Sequence, residues 1–178
     1  MRISAFLLAA LLPATTSYAE DWAGAHVGLS VSASNGAQDI GIISFPAEGT
    51  TTSLFGGYDW QTGNLVFGGE LAIHSNDIGL TGFPAISYNR LTDVKGRIGY
   101  AAGRALIYGV IGYSWAEYQN GPAFFDDLDG TAYGIGAEFL VSEKVFSGVE
   151  YLHRDLNHAN AGVITDISTV TLRVGMKF

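Results

Sequence analysis

The sequence of 178 residues contains no cysteine, and this absence excludes several kinds of site at once. Without cysteine the chain has no disulfide framework, no thiolate metal site and no thiol nucleophile. Proline is scarce, with 4 residues, whereas glycine is abundant, with 24, and aromatic residues make up 12% of the chain. Glycine combined with aromatic residues favours twisted strands and tight turns over helices.

Basic residues and long apolar runs are also lacking. The chain has 9 lysine and arginine residues against 17 aspartate and glutamate residues, which gives a formal net charge of −8. A nucleic-acid partner is not expected, because binding to phosphates requires a basic surface. No segment after the N-terminal region approaches about 18 uninterrupted apolar residues, so no transmembrane helix is expected.

The N-terminus has the features of an export signal. Arg2 precedes an apolar run over residues 3–12, and Pro13 and small polar residues follow as far as Ala19. The run is too short to span a bilayer, and Ser17-Tyr18-Ala19 fits the small-x-small cleavage rule. The alternative is a buried N-terminal helix. We predict a signal peptide over residues 1–19, cleavage before Glu20, and a single domain over 20–178.

The last twelve residues alternate between an apolar face and a polar face, as side chains do in a strand. The apolar face consists of Val170, Leu172, Val174, Met176 and Phe178, and the polar face of Thr169, Thr171, Arg173, Gly175 and Lys177. A soluble β-sandwich can contain such a strand. An outer-membrane barrel requires one, because lipid lies outside it and a polar lumen inside.

Seven further segments can form strands before this one. The eight predicted strands cover 22–33, 50–60, 65–75, 88–100, 105–118, 131–141, 145–156 and 167–178. Strands of about ten residues cross a bilayer when tilted. Short turns follow the second, fourth and sixth strands, and longer connections cover 34–49, 76–87, 119–129 and 157–166. This pattern predicts an all-β, eight-stranded antiparallel up-and-down transmembrane barrel with both termini on the periplasmic side. The fifth strand is apolar on both faces, so its orientation stays open.

The charged residues within the strands fall on the inner face of this predicted barrel. They are Asp59, Glu70, Asp93, Lys95, Arg97, Glu138, Glu150, Arg154, Arg173 and Lys177. Facing lipid, a mid-plane lysine or arginine costs about 2–4 kcal/mol. Facing inward, opposite charges can pair and fill the narrow lumen that eight strands enclose.

We therefore predict a plugged lumen, in which Glu70, Glu138 and Glu150 pair with Lys95, Arg97 and Arg173. His26 and His74 are predicted to lie in the same lumen, bonded to neighbours. Glu138 and Glu150 could instead serve as a general acid–base pair. Structural pairing is favoured, because every carboxylate has a cation available.

The long connections carry the excess of negative charge. They contain Asp39, Glu48, Asp77, Asp126, Asp127, Asp129 and Asp166, and no lysine or arginine. A solvated outer surface is the favoured interpretation. A cation or partner site around Asp126-Asp127-Leu128-Asp129 is the alternative. A calcium loop needs more widely spaced oxygen ligands and a glycine inside the loop, whereas Gly130 follows this group. No metal site is predicted.

Several motifs along the predicted mature chain resemble the small outer-membrane β-barrels of the opacity-protein-like type. This family includes surface antigens and reported haem-binding barrels of alphaproteobacteria. The matching segments occur in the family's order at 22–28, 57–70, 96–100, 105–108, 134–138, 149–152 and 170–175. They include Gly57-Tyr-Asp-Trp-Gln-Thr-Gly-Asn-Leu-Val-Phe-Gly-Gly-Glu70 and Gly96-Arg-Ile-Gly-Tyr100.

The resemblance implies an eight-stranded monomer in the outer membrane of a Gram-negative bacterium. It implies contact with membrane lipids and lipopolysaccharide, and insertion with the help of periplasmic chaperones and the barrel-assembly machinery. Val174, Met176 and Phe178 would form the C-terminal assembly signal. Family members serve as envelope structural proteins, adhesins or antigens, so no single activity follows and no cofactor is predicted.

Three alternative functions can be weighed against the residues. Barrels that remove acyl chains from lipid A use a His-x-Ser pair, and neither His153 nor His158 has a serine two residues on. Haem would need an axial ligand from a histidine, a tyrosine or Met176, and Met176 is predicted to face lipid. A diffusion pore conflicts with the narrow lumen. We predict a non-enzymatic outer-membrane barrel with a structural or surface-interaction role.

Overall fold

The computed structural model describes residues 20–40, 43–75, 78–80, 83–120, 124–158 and 164–178. Side chains are described within these ranges except at 37–48, 76–90, 117–127 and 157–165. The predicted signal peptide, residues 1–19, lies outside the described residues, so its cleavage stays a prediction.

The regular elements of the described residues are β-strands. They are β1 Gly24–Ile40, β2 Ile43–Thr62, β3 Leu65–Ser75, β4 Ile78–Leu80, β5 Phe83–Ala102, β6 Ala105–Asn120, β7 Phe124–Leu140, β8 Val145–His158 and β9 Ile164–Lys177. Among the described residues, no helix has the length and apolar character needed to cross a membrane.

The long strands close into a barrel. Each pairs antiparallel with the next along the chain, and β9 pairs back onto β1, for example at Leu29 and Val174. The three-residue strand β4 lies between the ends of β2 and β5 and pairs with both. The predicted eight-stranded antiparallel barrel is therefore confirmed, with β4 as an additional short strand at one end.

The strands extend further than the alternating pattern predicts. Strands β1 and β2 stay paired as far as Ile40 and Ile43, so most of the predicted connection 34–49 continues the hairpin. Strands β6 and β7 likewise pair up to Asn120 and Phe124. The predicted long connections 34–49 and 119–129 are therefore formed largely by extensions of the strands. Apolar and polar residues need to alternate only where one face of a strand contacts lipid. Backbone hydrogen bonding between strands does not depend on this alternation, so the strands can continue past the alternating segments.

The outer face of the barrel is apolar. Leu29 and Leu172 are both 67% exposed and Ile111 is 72% exposed, and all three point away from the lumen. A folded protein leaves large aliphatic side chains this exposed along a continuous belt only where the surrounding medium is also apolar. The exterior therefore fits a bilayer.

The orientation of β6, which the sequence leaves open, is decided in the structure. Leu106, Tyr108 and Val110 point into the lumen and are buried, whereas Ile107 and Ile111 point outward. Gly99 and Gly136 lie directly opposite Tyr108 on the two neighbouring strands. A Cβ atom at Gly136 would collide with the Tyr108 ring, so glycine at this position makes space for the tyrosine.

Aromatic side chains pack together in the lumen near one end of the barrel. This turn end carries the short turns after β2, β5 and β7, and Gly63 and Gly103 each adopt φ of 60° in the first two. Trp22 and Phe55 each pack against Phe146 with ring centroids 6.2 Å apart. The opposite end of the barrel, where β4 lies, is here called the far end.

Candidate functional site in the barrel lumen

Inward-facing charged side chains form the candidate site. They come from six strands and alternate with outward apolar residues, which is why neighbouring charges on one strand are two positions apart, as Asp93, Lys95 and Arg97 are. Each is at most 6% exposed. The members are Asp59, Glu70, Asp93, Lys95, Arg97, Glu138, Glu150, Arg154 and Arg173.

Arg173 on β9 is the centre of the larger cluster. Its Nη2 atom contacts Glu70, its Nε atom lies 3.1 Å from Oε1 of Glu138, and its Nη1 atom donates to Oε2 of Glu150 at 2.8 Å. The guanidinium carbon lies 4.0 Å from the centroid of the Phe55 ring. One arginine therefore joins carboxylates from β3, β7 and β8.

Arg97 and Lys95 on β5 complete this cluster. Nε of Arg97 donates to Oδ1 of Asp59 at 2.8 Å, and Nη1 donates to Oε1 of Glu138 at 3.2 Å. Nζ of Lys95 lies 2.9 Å from Oε1 of Glu70 and 2.6 Å from Oε1 of Glu150. Each of these cations thus contacts carboxylates on two different strands.

Tyr108 belongs to the same cluster, although its position in the sequence does not indicate this. Its hydroxyl donates to Oε2 of Glu150 at 3.1 Å and accepts from Nη1 of Arg173 at 3.2 Å. It was missed because β6 is apolar on both faces. The Gly99 and Gly136 positions on the adjacent strands are the sequence signal that could have revealed its direction.

A second cluster surrounds Asp93, nearer the far end. Arg154 binds this carboxylate with both ends of its fork, Nε to Oδ1 at 3.0 Å and Nη2 to Oδ2 at 2.6 Å. Nε2 of His74 lies 2.9 Å from Oδ2, and the hydroxyl of Ser114 donates to Oδ1 at 2.6 Å. Ser114 thus bonds to Asp93 and not to His74, so these three residues do not form a nucleophile relay.

The other lumen histidine, His26, contacts two carboxylates of the larger cluster. Its Nδ1 atom lies 3.1 Å from Oδ2 of Asp59, and its Nε2 atom lies 3.3 Å from Oε2 of Glu70. Both ring nitrogens therefore face carboxylates of the protein. Haem ligation by this residue would require these contacts to break.

The space left between the clusters is small. A cavity of about 10 Å³ lies among Ser30, Ser53, Thr171 and the charged side chains around them. A single ordered water needs about this volume. This cavity is therefore too small for a cofactor.

Lys177 is a correction to the predicted network. It is the last residue of β9 and is half-buried at the turn end, where its Nζ atom donates to the backbone oxygen of Asp21. An inward position on a strand therefore does not bring a long side chain into the lumen when the strand ends at the rim.

The three residues predicted as an assembly signal lie on the outer face of the turn end. Val174, Met176 and Phe178 are exposed there, and Phe178 is 71% exposed. The amide of Phe178 donates to the carbonyl oxygen of Ala25 at 2.8 Å, so the final residue still pairs with β1. Their role in assembly stays a prediction.

Most of the acidic residues of the predicted connections have side chains outside the described part of the chain. This applies to Asp39, Glu48, Asp77, Asp126 and Asp127, as well as to His158. Asp129 and Asp166 are described. The carboxylate of Asp129 accepts a hydrogen bond from the Tyr113 hydroxyl on the outer face of the barrel.

A closed antiparallel barrel with an apolar exterior and a charged, ion-paired interior defines an integral outer-membrane protein of a Gram-negative bacterium. The chain belongs to the family described as the outer membrane protein beta-barrel domain, whose model matches residues 4–178. This confirms the predicted resemblance to small outer-membrane β-barrels.

Two named relatives come from alphaproteobacteria. The 22 kDa outer membrane protein of Rhizobium leguminosarum bv. viciae is 27% identical over 136 residues, covering 70% of this chain and 64% of that protein. The chain thus spans less than two thirds of that relative. The 31 kDa outer-membrane immunogenic protein of Brucella melitensis is 23% identical over 199 residues, covering 88% of this chain and 83% of that protein.

Among solved structures, the barrel is similar to Ail, the attachment invasion locus protein of Yersinia pestis, crystallised in complex with the heparin analogue sucrose octasulfate. The TM-score is 0.57 at 14% identity, covering 87% of this chain and 99% of that chain. At this identity the likeness concerns the fold alone.

Proposed function

We propose that this protein is a non-enzymatic envelope barrel whose lumen is closed by its ion-pair clusters and whose role is structural or surface interaction. The observation that carries the proposal is the contact of Arg173 with Glu70, Glu138 and Glu150. These carboxylates belong to β3, β7 and β8, so the side chains meet near the barrel axis. A water-filled path would have to pass through them.

The energetics of the cluster support closure as its role. A buried ion pair is weak evidence for stability, because desolvation offsets much of the attraction. Removing one partner nevertheless leaves an uncompensated charge and costs about 3–5 kcal/mol. A lumen filled by interlocked charges is therefore difficult to open one residue at a time.

A non-catalytic role is supported by how the polar side chains are used. The carboxylates of Glu138 and Glu150 both contact Arg173, so each already has a structural cation as its partner. Ser114 is bonded to Asp93. The candidate catalytic groups of the lumen are thus committed to structural contacts.

The proposed partners of the protein are those that suit its outer surface. We propose a monomer whose apolar belt contacts membrane lipids, with lipopolysaccharide at its outer edge. Insertion would use periplasmic chaperones and the barrel-assembly machinery. The name of the Brucella relative indicates an immunogenic protein, which suits a surface-exposed role. The long predicted connections contain no lysine or arginine, so a polyanion such as the ligand of the Ail structure is not an expected partner here.

Planar-bilayer conductance tests the closed lumen. The folded protein should give no discrete conductance steps in concentrated potassium chloride. The double variant Arg97→Ala, Arg173→Ala should conduct, because it removes the two arginines that bridge the lumen. Lys177→Ala, which changes a cation at the rim, should remain silent. Regular steps from the wild-type protein, comparable with those of a water-filled porin, would refute the proposal.

The absence of catalysis needs a separate measurement. Mass spectrometry of lipid A from cells with and without the protein should show the same acyl chains. A lipid A species that loses an acyl chain only when the protein is present would contradict the non-enzymatic role.

A further inference from the structure

A group of potential metal ligands lies on the outside of the barrel, away from the lumen clusters. His153 and Asp155 point outward from β8, and the strand register places Asp166 of β9 directly opposite Asp155. One ligand atom from each of the three residues lies within 4.8 Å of the other two. Backbone pairing of two strands therefore holds these side chains together.

The group lies at the far edge of the apolar belt. One pairing step toward the turn end, the outward residues are Tyr151 and Val170, which are large, apolar in body and exposed. The Tyr133 ring packs beside His153 with centroids 5.2 Å apart. The three candidate ligands are all half-buried. The cluster thus sits where the lipid-facing surface gives way to a polar one.

The distances fit a single ion. Nε2 of His153 lies 3.0 Å from Oδ1 of Asp155. Two donors that each bind one zinc ion at about 2.1 Å lie roughly 3.0–3.4 Å apart in octahedral or tetrahedral geometry. A carboxylate oxygen of Asp166 lies within 4.8 Å of the other two donors.

The second nitrogen of His153 has the partner that a metal-binding imidazole requires. Nδ1 of His153 lies 3.0 Å from Oγ of Ser168. A hydroxyl can donate or accept, so it supports either tautomer of the ring. Binding of a metal through Nε2 would replace the hydrogen bond of this atom with Oδ1 of Asp155. With the proton on Nδ1, Ser168 would then orient the ring as an outer-shell partner does.

Charge complementarity also favours a cation at this position. Carboxylates directly opposite each other on paired strands repel one another. With the proton of His153 on Nδ1, Nε2 and the Asp155 carboxylate present lone pairs to each other. A divalent ion among the three groups converts these repulsions into attractions.

We propose that His153, Asp155 and Asp166 bind a divalent transition-metal ion of the zinc class at the far rim of the barrel. One imidazole nitrogen with two carboxylate oxygens suits zinc better than magnesium or calcium, which prefer all-oxygen sites. Three protein ligands leave at least one coordination position open to water or to a lipid headgroup. This site is independent of the closed lumen.

Isothermal titration calorimetry of the folded protein in detergent tests the site. The protein carries no histidine tag, and Zn²⁺ is titrated in a non-chelating buffer. Wild type should bind about one ion per chain. His153→Ala and Asp166→Asn should each weaken binding by more than about 10-fold, and Ser168→Ala by about 10- to 100-fold. Asp129→Asn is the matched control and should bind as wild type does, because this outward carboxylate on β7 lies outside the cluster.

Two further measurements check that each variant is folded and which ligand atoms bind the metal. Heat-modifiability on a gel shows that each variant is folded, and the absorption bands of Co²⁺ report mixed nitrogen and oxygen ligation. The proposal is overturned by wild-type affinity in folded His153→Ala, or by absence of Zn²⁺ binding to the wild type. It is equally overturned if Ca²⁺ and Zn²⁺ bind with the same affinity and neither depends on His153, which would mean simple attraction of cations to surface carboxylates.

Discussion

Arg173 and Glu70 form an ion pair although they are 103 positions apart in sequence and lie on strands that are not neighbours. Strands β1 and β2 separate β9 from β3 in the sheet, so the two side chains meet only across the lumen. Glu70 also contacts Lys95 at 2.9 Å and His26 at 3.3 Å. Closure of the barrel is what creates this pair.

Replacing Arg173 tests the contribution of the larger cluster to stability. Arg173→Ala leaves Glu70, Glu138 and Glu150 short of a buried cation, so we expect the free energy of unfolding to fall by about 3–5 kcal/mol. Urea unfolding in micelles, followed by tryptophan fluorescence, measures this. Lys177→Ala is the control and should change the free energy by less than about 0.5 kcal/mol. Equal stability of the two variants would contradict the assignment.

The interaction energy between Asp93 and Arg154 can be measured separately from the rest of the lumen. A double-mutant cycle with Asp93→Asn and Arg154→Met should give a coupling energy on the order of 1–3 kcal/mol, because two hydrogen bonds join these side chains. A second cycle with Asp93→Asn and Lys177→Ala should be additive within about 0.5 kcal/mol. Additivity in the first cycle would count against the pair.

The packing of Tyr108 over glycine predicts different effects for two glycine substitutions. Gly136→Ala should destabilise the barrel by about 1–3 kcal/mol, because the new methyl group displaces the Tyr108 ring from its hydrogen bonds. Gly109→Ala should be neutral or slightly stabilising, since its Cβ would have no neighbour closer than 3.9 Å. Thermal unfolding in the same detergent compares them. A milder effect of Gly136→Ala than of Gly109→Ala would disprove this packing argument.

Deletion of Phe178 separates assembly from stability. We expect less heat-modifiable protein in the outer membrane of expressing cells, while refolding of the purified chain into detergent stays close to wild type. Tyr100→Ala, which removes another exposed aromatic side chain near the turn end of the barrel, should not reduce assembly. Normal assembly of the truncated chain would remove the proposed role of Val174, Met176 and Phe178.

The predicted processing site has a direct test. The mass of the protein isolated from outer membranes should correspond to a chain beginning at Glu20, and Ala19→Arg should block cleavage because the site requires a small residue. An intact N-terminus starting at Met1 in the membrane-inserted protein would refute the prediction.

Alternation alone predicted most inward and outward directions. Asp59, Glu70 and Arg173 belong to strands whose outward residues are apolar and whose charged residues all face inward, because a charge exposed to lipid is costly. Tyr108 lies in a strand without alternation, so its direction required the neighbouring glycines. The extension of β1 and β2 as far as Ile40 and Ile43 also escaped prediction, because the sequence of those segments does not alternate between apolar and polar residues.

The partners within the lumen could not be read from the sequence in the same way. Arg97 contacts Asp59 and Glu138, and Arg154 contacts Asp93, and these choices depend on the stagger of the strands around the closed barrel. A shift of two residues in one pairing would exchange the partners and leave the alternation unchanged. Lys177 is a similar case. Alternation assigned it to the inward face of β9, but its position at the end of the strand places it at the rim of the barrel.

The sequence by itself thus determined the class of fold and the facing of most strands, because the period of two and the cost of charge in lipid act locally along the chain. The tertiary structure decided which charges meet, through the closure of β9 onto β1 and the register of each pair. The same closure brought Asp166 opposite Asp155 and beside His153, residues that no local pattern connects. Contacts across a barrel depend on the registers of all its strands together. The pattern of residues within one strand does not determine these registers.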